Sequence, residues 1–236
     1  MEILYEDRDV IVVDKAAGLL TIGTGADGGR TAHAVLGDYV AKGNPKSRER
    51  VFVVHRLDRD TSGVLVFARN EEAKHTLQDN WAGAEKVYLA FVEGHPDPPE
   101  GTISSYLAEN RAMRVYSTKN PEEGRLSHTQ YKVVKHVGPR ALLEVTLLTG
   151  RKNQIRVHLA DKGWPIVGDS KYGQKIRHNK RLALHAYRLA FDHPYTGERM
   201  EFEAPIPAAF YGMAALPPPA AKAKPKEEGD RGEGRR

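Results

Sequence analysis

No cysteine occurs among the 236 residues. That absence excludes disulfides, iron–sulfur clusters, thiolate zinc sites and cysteine nucleophiles together. Long apolar runs are missing as well: none reaches the roughly 18 residues of a membrane-crossing helix, so no membrane span is expected. The opening Met1-Glu2-Ile3 lacks the basic start and apolar stretch of a secretory signal, which makes a cytoplasmic protein the expectation. Two catalytic signatures are also absent. Ser62 precedes Gly63 without the flanking glycine of a GxSxG elbow, and His55, His158 and His185 show no HExxH spacing. Neither serine hydrolysis nor metal catalysis is indicated.

What is present is a chain that is 40% hydrophobic and long enough to bury a sizeable core. The net charge of +5 is mild, but its distribution is uneven. Between Gly150 and Arg188, ten Lys or Arg stand against only Asp161 and Asp169, a local +8. Such segregation suits a surface facing a polyanion; a solvated basic face that binds nothing would account for the charge equally well. From Pro217 to Arg236 nothing aromatic or β-branched is available to bury. That stretch reads as a disordered tail, residues 217–236, behind a single domain over residues 1–216.

Short β-type runs dominate the pattern, at Val10–Asp14, Val51–His55, Gly63–Ala68, Val87–Val92, Gln130–His136, Ala141–Leu148, Ala183–Phe191 and Met200–Glu203. Helices are fewer. Thr31 can cap one over Ala32–Ala41, and Asn70 one over Glu71–Trp81. A third, Asn153–Asp161, places Ile155 and Leu159 on one buried stripe and stops at Gly163. Many strands and few helices, without regular βαβ alternation, predict an α+β fold. Its centre is a large mixed, mainly antiparallel sheet with flanking helices and loops.

Four segments carry chemistry-bearing residues. Gly23–Gly28 spells GxGxxG, but a dinucleotide site needs the upstream strand to run into it and an acidic residue to end the next strand. Here the first strand ends nine residues early, at Asp14, and the next ends in His55, so a surface loop is the better account. The second segment is HRLDRDTSG, His55–Gly63, held between two apolar strands. Rigid strands make such a loop a firm mount for reactive groups. An ordinary polar turn explains Asp60, Thr61 and Ser62, but a turn does not need both Arg56 and Asp58. The third is LTGRKNQIRVH, Leu148–His158, where basic residues open a helix against the dipole preference; phosphates or a buried carboxylate would offset them. The fourth is Lys86-Val87-Tyr88, where a tyrosine in a strand reads first as core.

Taken in order, HRLDRDTSG, KVY followed by LAFVEG, LLTGRKNQIRVHLA, GDSKYG (Gly168–Gly173) and LHAYRLAFDHP resemble the RluA family of pseudouridine synthases. With ILYEDRDVIVVDKAAGLLT at the start, the resemblance spans about residues 2–207. It implies a single pseudouridine-synthase-like catalytic domain that isomerises uridine in ribosomal or transfer RNA, with no metal or organic cofactor, as a monomer. The family's separate N-terminal RNA-binding module is not expected, because the pattern begins at residue 2. Asp58 matches the essential aspartate, which adds to the ring, adds to the sugar or abstracts a ribose proton. Arg156 matches the arginine that pairs with it. Tyr88 matches the tyrosine that stacks on the base, and Arg56 the residue that fills the space a flipped uridine leaves. Arg151 and Lys171 are expected to contact the RNA. Two departures stand out: Ala16 where proline is usual, and Asn153 where histidine is common. Neither is expected to touch the catalytic groups.

Overall fold

The computed structural model describes residues 1–23, 30–44, 46–173 and 181–214. Most of the GxGxxG segment and the whole of the 217–236 tail therefore lie outside the described residues. Within them, eleven strands form one sheet and four helices pack on it. Strands β1 (Glu2–Glu6), β2 (Val10–Lys15) and β4 (Ser62–Ala68) lead into the centre, where β10 (Leu184–Asp192) and β5 (Glu85–Glu93) follow. The far half runs β9 (Arg140–Leu147), β8 (Arg125–Val137), β6 (Glu100–Glu109), β7 (Val115–Thr118). The short β3 (Phe52–Val53) flanks β4, and β11 (Arg199–Glu203) flanks β10. Only the β4–β10 pair is parallel. The expected α+β fold on a mainly antiparallel sheet is what forms.

The apolar runs are continuous because both faces of the central strands are covered. Ile11, Val13, Leu65 and Phe67 join one core with helices α1 (Ala32–Val40), α3 (Gln154–Asp161) and α4 (Ala208–Ala214). Val10, Val12, Val64 and Val66 face the opposite way, onto Ala73 and Leu77 of α2 (Glu71–Asp79). Thr31 and Asn70 cap α1 and α2 as expected, each side chain accepting from a backbone N–H three residues on. Since β2 and β4 are antiparallel neighbours, the segment between them is no parallel crossover of the dinucleotide-binding kind.

The strand expected at Val51–His55 shrinks to two residues. Where Val54 would continue the ladder, the backbone N–H of Val66 donates instead to Nε2 of His55, at 3.2 Å. The ring packs on Trp81, 4.5 Å between centroids, and burial, then Lys86, pushes its pKa down to about 3. His55 is thus a neutral acceptor that ends the strand and releases the HRLDRDTSG loop. Strands β1, β6 and β7 and helix α4 escape the pattern reading. β6 buries only alternate or scattered positions, so no apolar run announces it. Near one sheet edge, Asp7, Asp9 and His193 converge, with Nε2 of His193 at 2.9 Å from Asp7. Tyr5 shares the Asp7 oxygen that His193 meets, and Asn70, Arg8 and two backbone N–H groups occupy the remaining carboxylate oxygens.

Two clamps, from the end of β2 and the segment after it, grip the loop. Thr21 Oγ1 donates to the Leu57 carbonyl at 3.0 Å and accepts from the Leu57 N–H at 3.2 Å. On the other side, the fully buried Lys15 donates to the carbonyls of Ala16, Leu19 and Arg59 at 3.0, 2.7 and 3.1 Å. Burial pushes its pKa down to about 8, opposed by the charges of Asp60 and Asp58. Replacing Lys15 by Met keeps the buried stem and strips donors from those carbonyls. Chemical denaturation should register a loss of about 1–3 kcal/mol. An unchanged midpoint in Lys15→Met would mean that this clamp contributes nothing.

Candidate active site

The clamped loop and the start of α3 meet over the sheet. Gln154 pegs the helix start. Its Oε1 accepts from the Arg151 N–H and the Thr149 hydroxyl, at 3.0 and 2.9 Å. Its Nε2 donates to the His128 carbonyl and the Thr129 hydroxyl at 3.0 and 2.9 Å. With the first turn fixed to β8 in this way, Arg156 is directed inward and its side chain is only 9% exposed.

That guanidinium is shared between two carboxylates. Nε and Nη2 form a bidentate pair with Asp169, at 2.8 and 2.9 Å, while Nη1 reaches Oδ2 of Asp58 at 3.0 Å. Asp169 is fully buried, and its Oδ1 also accepts from the backbone N–H groups of Lys171 and Tyr172 at 2.8 and 3.0 Å. Burial opposes its charge, yet Arg156 and those N–H groups hold its carboxyl below the usual range. Burial likewise opposes the charge of Arg156. Asp169 first, then Asp58, outweighs it and raises the arginine's pKa. Of the basic residues around that helix start, Arg156 meets a buried carboxylate, Asp169, while Lys152 pairs with Glu109; the pairing of Arg156 with Asp58 is formed. Asp58 differs from its partners in being 22% exposed. A carboxylate held on one side by a dry arginine and open on the other can meet a substrate.

Tyr88, on β5 beside β10, is almost wholly buried. Burial, then the charge of Asp58, raises the pKa of its phenol, so the ring lies within the field of that carboxylate. It is part of the core. Arg56 and Arg151 are exposed, with no side-chain hydrogen bond or ion pair among the described residues. Lys171 is half-buried and engaged: Nζ donates to the Met113 carbonyl at 3.1 Å and to Oδ1 of Asn153 at 3.3 Å. Its pKa is lowered by burial and then by the neighbouring Lys152 and Arg156.

One expectation is overturned. Asn153 does touch a catalytic candidate, since its Nδ2 donates to Oδ2 of Asp58 at 2.6 Å. The helix begins one residue later than its pattern suggests, and Asn153 takes a left-handed conformation, φ 53°, that aims its amide back at the loop. Asp169 and Tyr172 also belong to the site; GDSKYG was legible as a motif, but nothing in its spacing ties it to Arg156. Gly173 closes that turn, where a Cβ would lie 2.4 Å from the Asp169 carbonyl. Two further histidines singled out in the sequence, His158 and His185, make structural contacts. His158 bridges Ser105 and Thr129, and His185 contacts Ser62 at 2.8 Å. That Ser–His pair is buried, and Nε2 of His185 has no carboxylate partner among the described residues, so no triad is completed.

A family model described as RNA pseudouridylate synthase matches residues 9–161, which include Asp58, Tyr88 and Arg156. The chain belongs to that family, in its RluA-type branch. An uncharacterized RNA pseudouridine synthase of Mycobacterium bovis is 41% identical over 221 residues, covering 88% of this chain and 70% of that one. Ribosomal large subunit pseudouridine synthase D of Pseudomonas aeruginosa is 34% identical over 233 residues, covering 92% and 71%. Among solved structures, human RNA Pseudouridylate Synthase Domain Containing 4 superposes with a TM-score of 0.75 at 25% identity, covering 89% of this chain and 90% of that one. No helix among the described residues of this RNA pseudouridine synthase is long and apolar enough to cross a membrane.

Removing Arg156 from this synthase leaves two carboxylates without their shared counter-charge. Breaking a buried pair costs about 3–5 kcal/mol, so Arg156→Ala should lower stability by that order. Asp58 also loses the bond that holds its Oδ2 in place, so pseudouridine formation should slow by about tenfold or more. A stable Arg156→Ala variant with the wild-type rate would contradict the pairing.

Proposed function

We propose that the chain converts specific uridines of ribosomal or transfer RNA into pseudouridine through Asp58, without metal or organic cofactor. The observation that carries this reading is the half-open carboxylate of Asp58, anchored through one oxygen to a buried arginine. The bond between the sugar and nitrogen 1 of the uracil breaks, the base turns, and a bond from the same sugar carbon to carbon 5 replaces it. The proton on carbon 5 leaves and nitrogen 1 gains one, so atoms balance without a co-reactant. Asp58 acts as nucleophile or as base in this sequence.

A stacked uridine cannot reach a carboxylate seated over a sheet, so it is flipped out at a cost of a few kcal/mol. Stacking on an aromatic face returns about 1–3 kcal/mol, and Tyr88 is the ring in the field of Asp58. The exposed Arg56, two residues from Asp58, fills the gap in the RNA stack. Arg151 and the basic segment around it hold phosphates, which position the strand without reading its sequence. The similarity to ribosomal large subunit pseudouridine synthase D of Pseudomonas aeruginosa supports ribosomal RNA as the first substrate to assay.

Asp58→Asn keeps the side-chain shape and removes the charge. It should bind RNA with near wild-type affinity and form no pseudouridine when incubated with unmodified ribosomal and transfer RNA. Pseudouridine formation by a clean Asp58→Asn preparation would overturn the assignment.

A further inference from the structure

The amide of Asn153 sits at the junction of four side chains. Its Oδ1 accepts from Nζ of Lys171 at 3.3 Å and from the Tyr172 hydroxyl at 3.2 Å. Its Nδ2 donates to Oδ2 of Asp58 at 2.6 Å. Two donors on one end and a carboxylate on the other leave the amide a single satisfying orientation, because a flip would set NH2 against an ammonium and oxygen against oxygen. Lys171 and Tyr172 are themselves fixed through Asp169, which accepts from both backbone N–H groups. Tyr172 also lies under Arg156, 5.3 Å from guanidinium to ring centre, and its oxygen accepts from the Val115 N–H at 3.2 Å.

Both fixed donors therefore reach the same oxygen of Asp58. Asn153 Nδ2 and Arg156 Nη1 meet Oδ2, whereas Oδ1 has no hydrogen-bond partner among the described residues. We infer that Asn153 is a positioning residue of the reaction: with Arg156 it immobilises Oδ2, so that Oδ1 is the oxygen presented to the uridine. The inference rests on Asp58 being the reacting carboxylate. Two donors at fixed angles stop rotation of the carboxylate about its terminal torsion, which one donor leaves soft.

The backbone supplies a way to separate this role from a structural one. A non-glycine residue at φ 53° is strained, and glycine adopts that conformation freely. Asn153→Gly therefore keeps or improves the turn while deleting the amide. Asn153→Asp keeps the outline and the acceptor for Lys171 and Tyr172, but sets a carboxylate oxygen against Oδ2.

Single-turnover pseudouridine formation at saturating RNA should be measured for both variants, with RNA affinity and thermal midpoint alongside. The expected result is a rate about tenfold lower or more in each with near wild-type RNA affinity. The glycine variant should melt no earlier than wild type, and the aspartate variant should be the slower near neutrality. A folded Asn153→Gly with the wild-type rate would overturn the inference. So would an Asn153→Asp variant indistinguishable from wild type. Asp58→Asn separates the layers: if it is inactive while the Asn153 variants are unaffected, Asp58 remains the reacting group and only the role of Asn153 falls.

Discussion

One guanidinium holds the site together. Arg156 has almost no contact with water and carries its charge between Asp169, wholly buried, and Asp58, partly open. Burial opposes the charge of Asp169 and of Arg156 alike, and each is held ionised by the other. The bidentate side faces Asp169, so geometry is fixed at the dry end and a single bond is left for Asp58. The arginine is thereby a strut, and the aspartate its working end.

The rest of the fold places the two ends of that strut. The sheet brings β4 and β10 together as its one parallel pair, and Gly63 marks the contact. A Cβ at Gly63 would lie 2.1 Å from the Ala186 carbonyl, and its φ of 115° is one that other residues avoid. The loop that delivers Asp58 enters β4 at this point, gripped by Thr21 on one side and Lys15 on the other. From the other half of the sheet, Gln154 pins α3 to β8 and so sets the direction of Arg156. Asp169 arrives last in the chain and locks the two halves. Its turn also orders Lys171 and Tyr172, which hold Asn153.

Much of this was legible in the sequence because it depends on local pattern. The central strands are covered on both faces, so VIVV and VLVFA stand out as unbroken apolar runs. Thr31 and Asn70 precede their helices in the places where caps act. A basic start to the third helix signalled unseen anions, and Asp169 is the one that Arg156 meets. What the sequence hid depends on partners far along the chain. β6 carries mostly half-exposed and polar positions and is defined by its pairing with β7 and β8. His55 ends β3 by a side-chain bond to a neighbouring strand, which no composition rule anticipates. Asn153 looked like a neutral exchange for histidine, because its left-handed backbone, and hence its aim at Asp58, is set by contacts 18, 19 and 95 residues away.

The claim that Asp169 and Arg156 together position Asp58 is tested most directly at the most buried of the three. Asp169→Asn keeps the outline of a side chain that is wholly buried. It removes the charge that orients Arg156. Single-turnover pseudouridine formation by the folded Asp169→Asn variant, at RNA concentrations well above saturation, is the measurement. The account predicts a rate lowered by about tenfold or more with RNA affinity retained, since a misaimed guanidinium no longer fixes the aspartate. A folded Asp169→Asn variant turning over at the wild-type rate would contradict it.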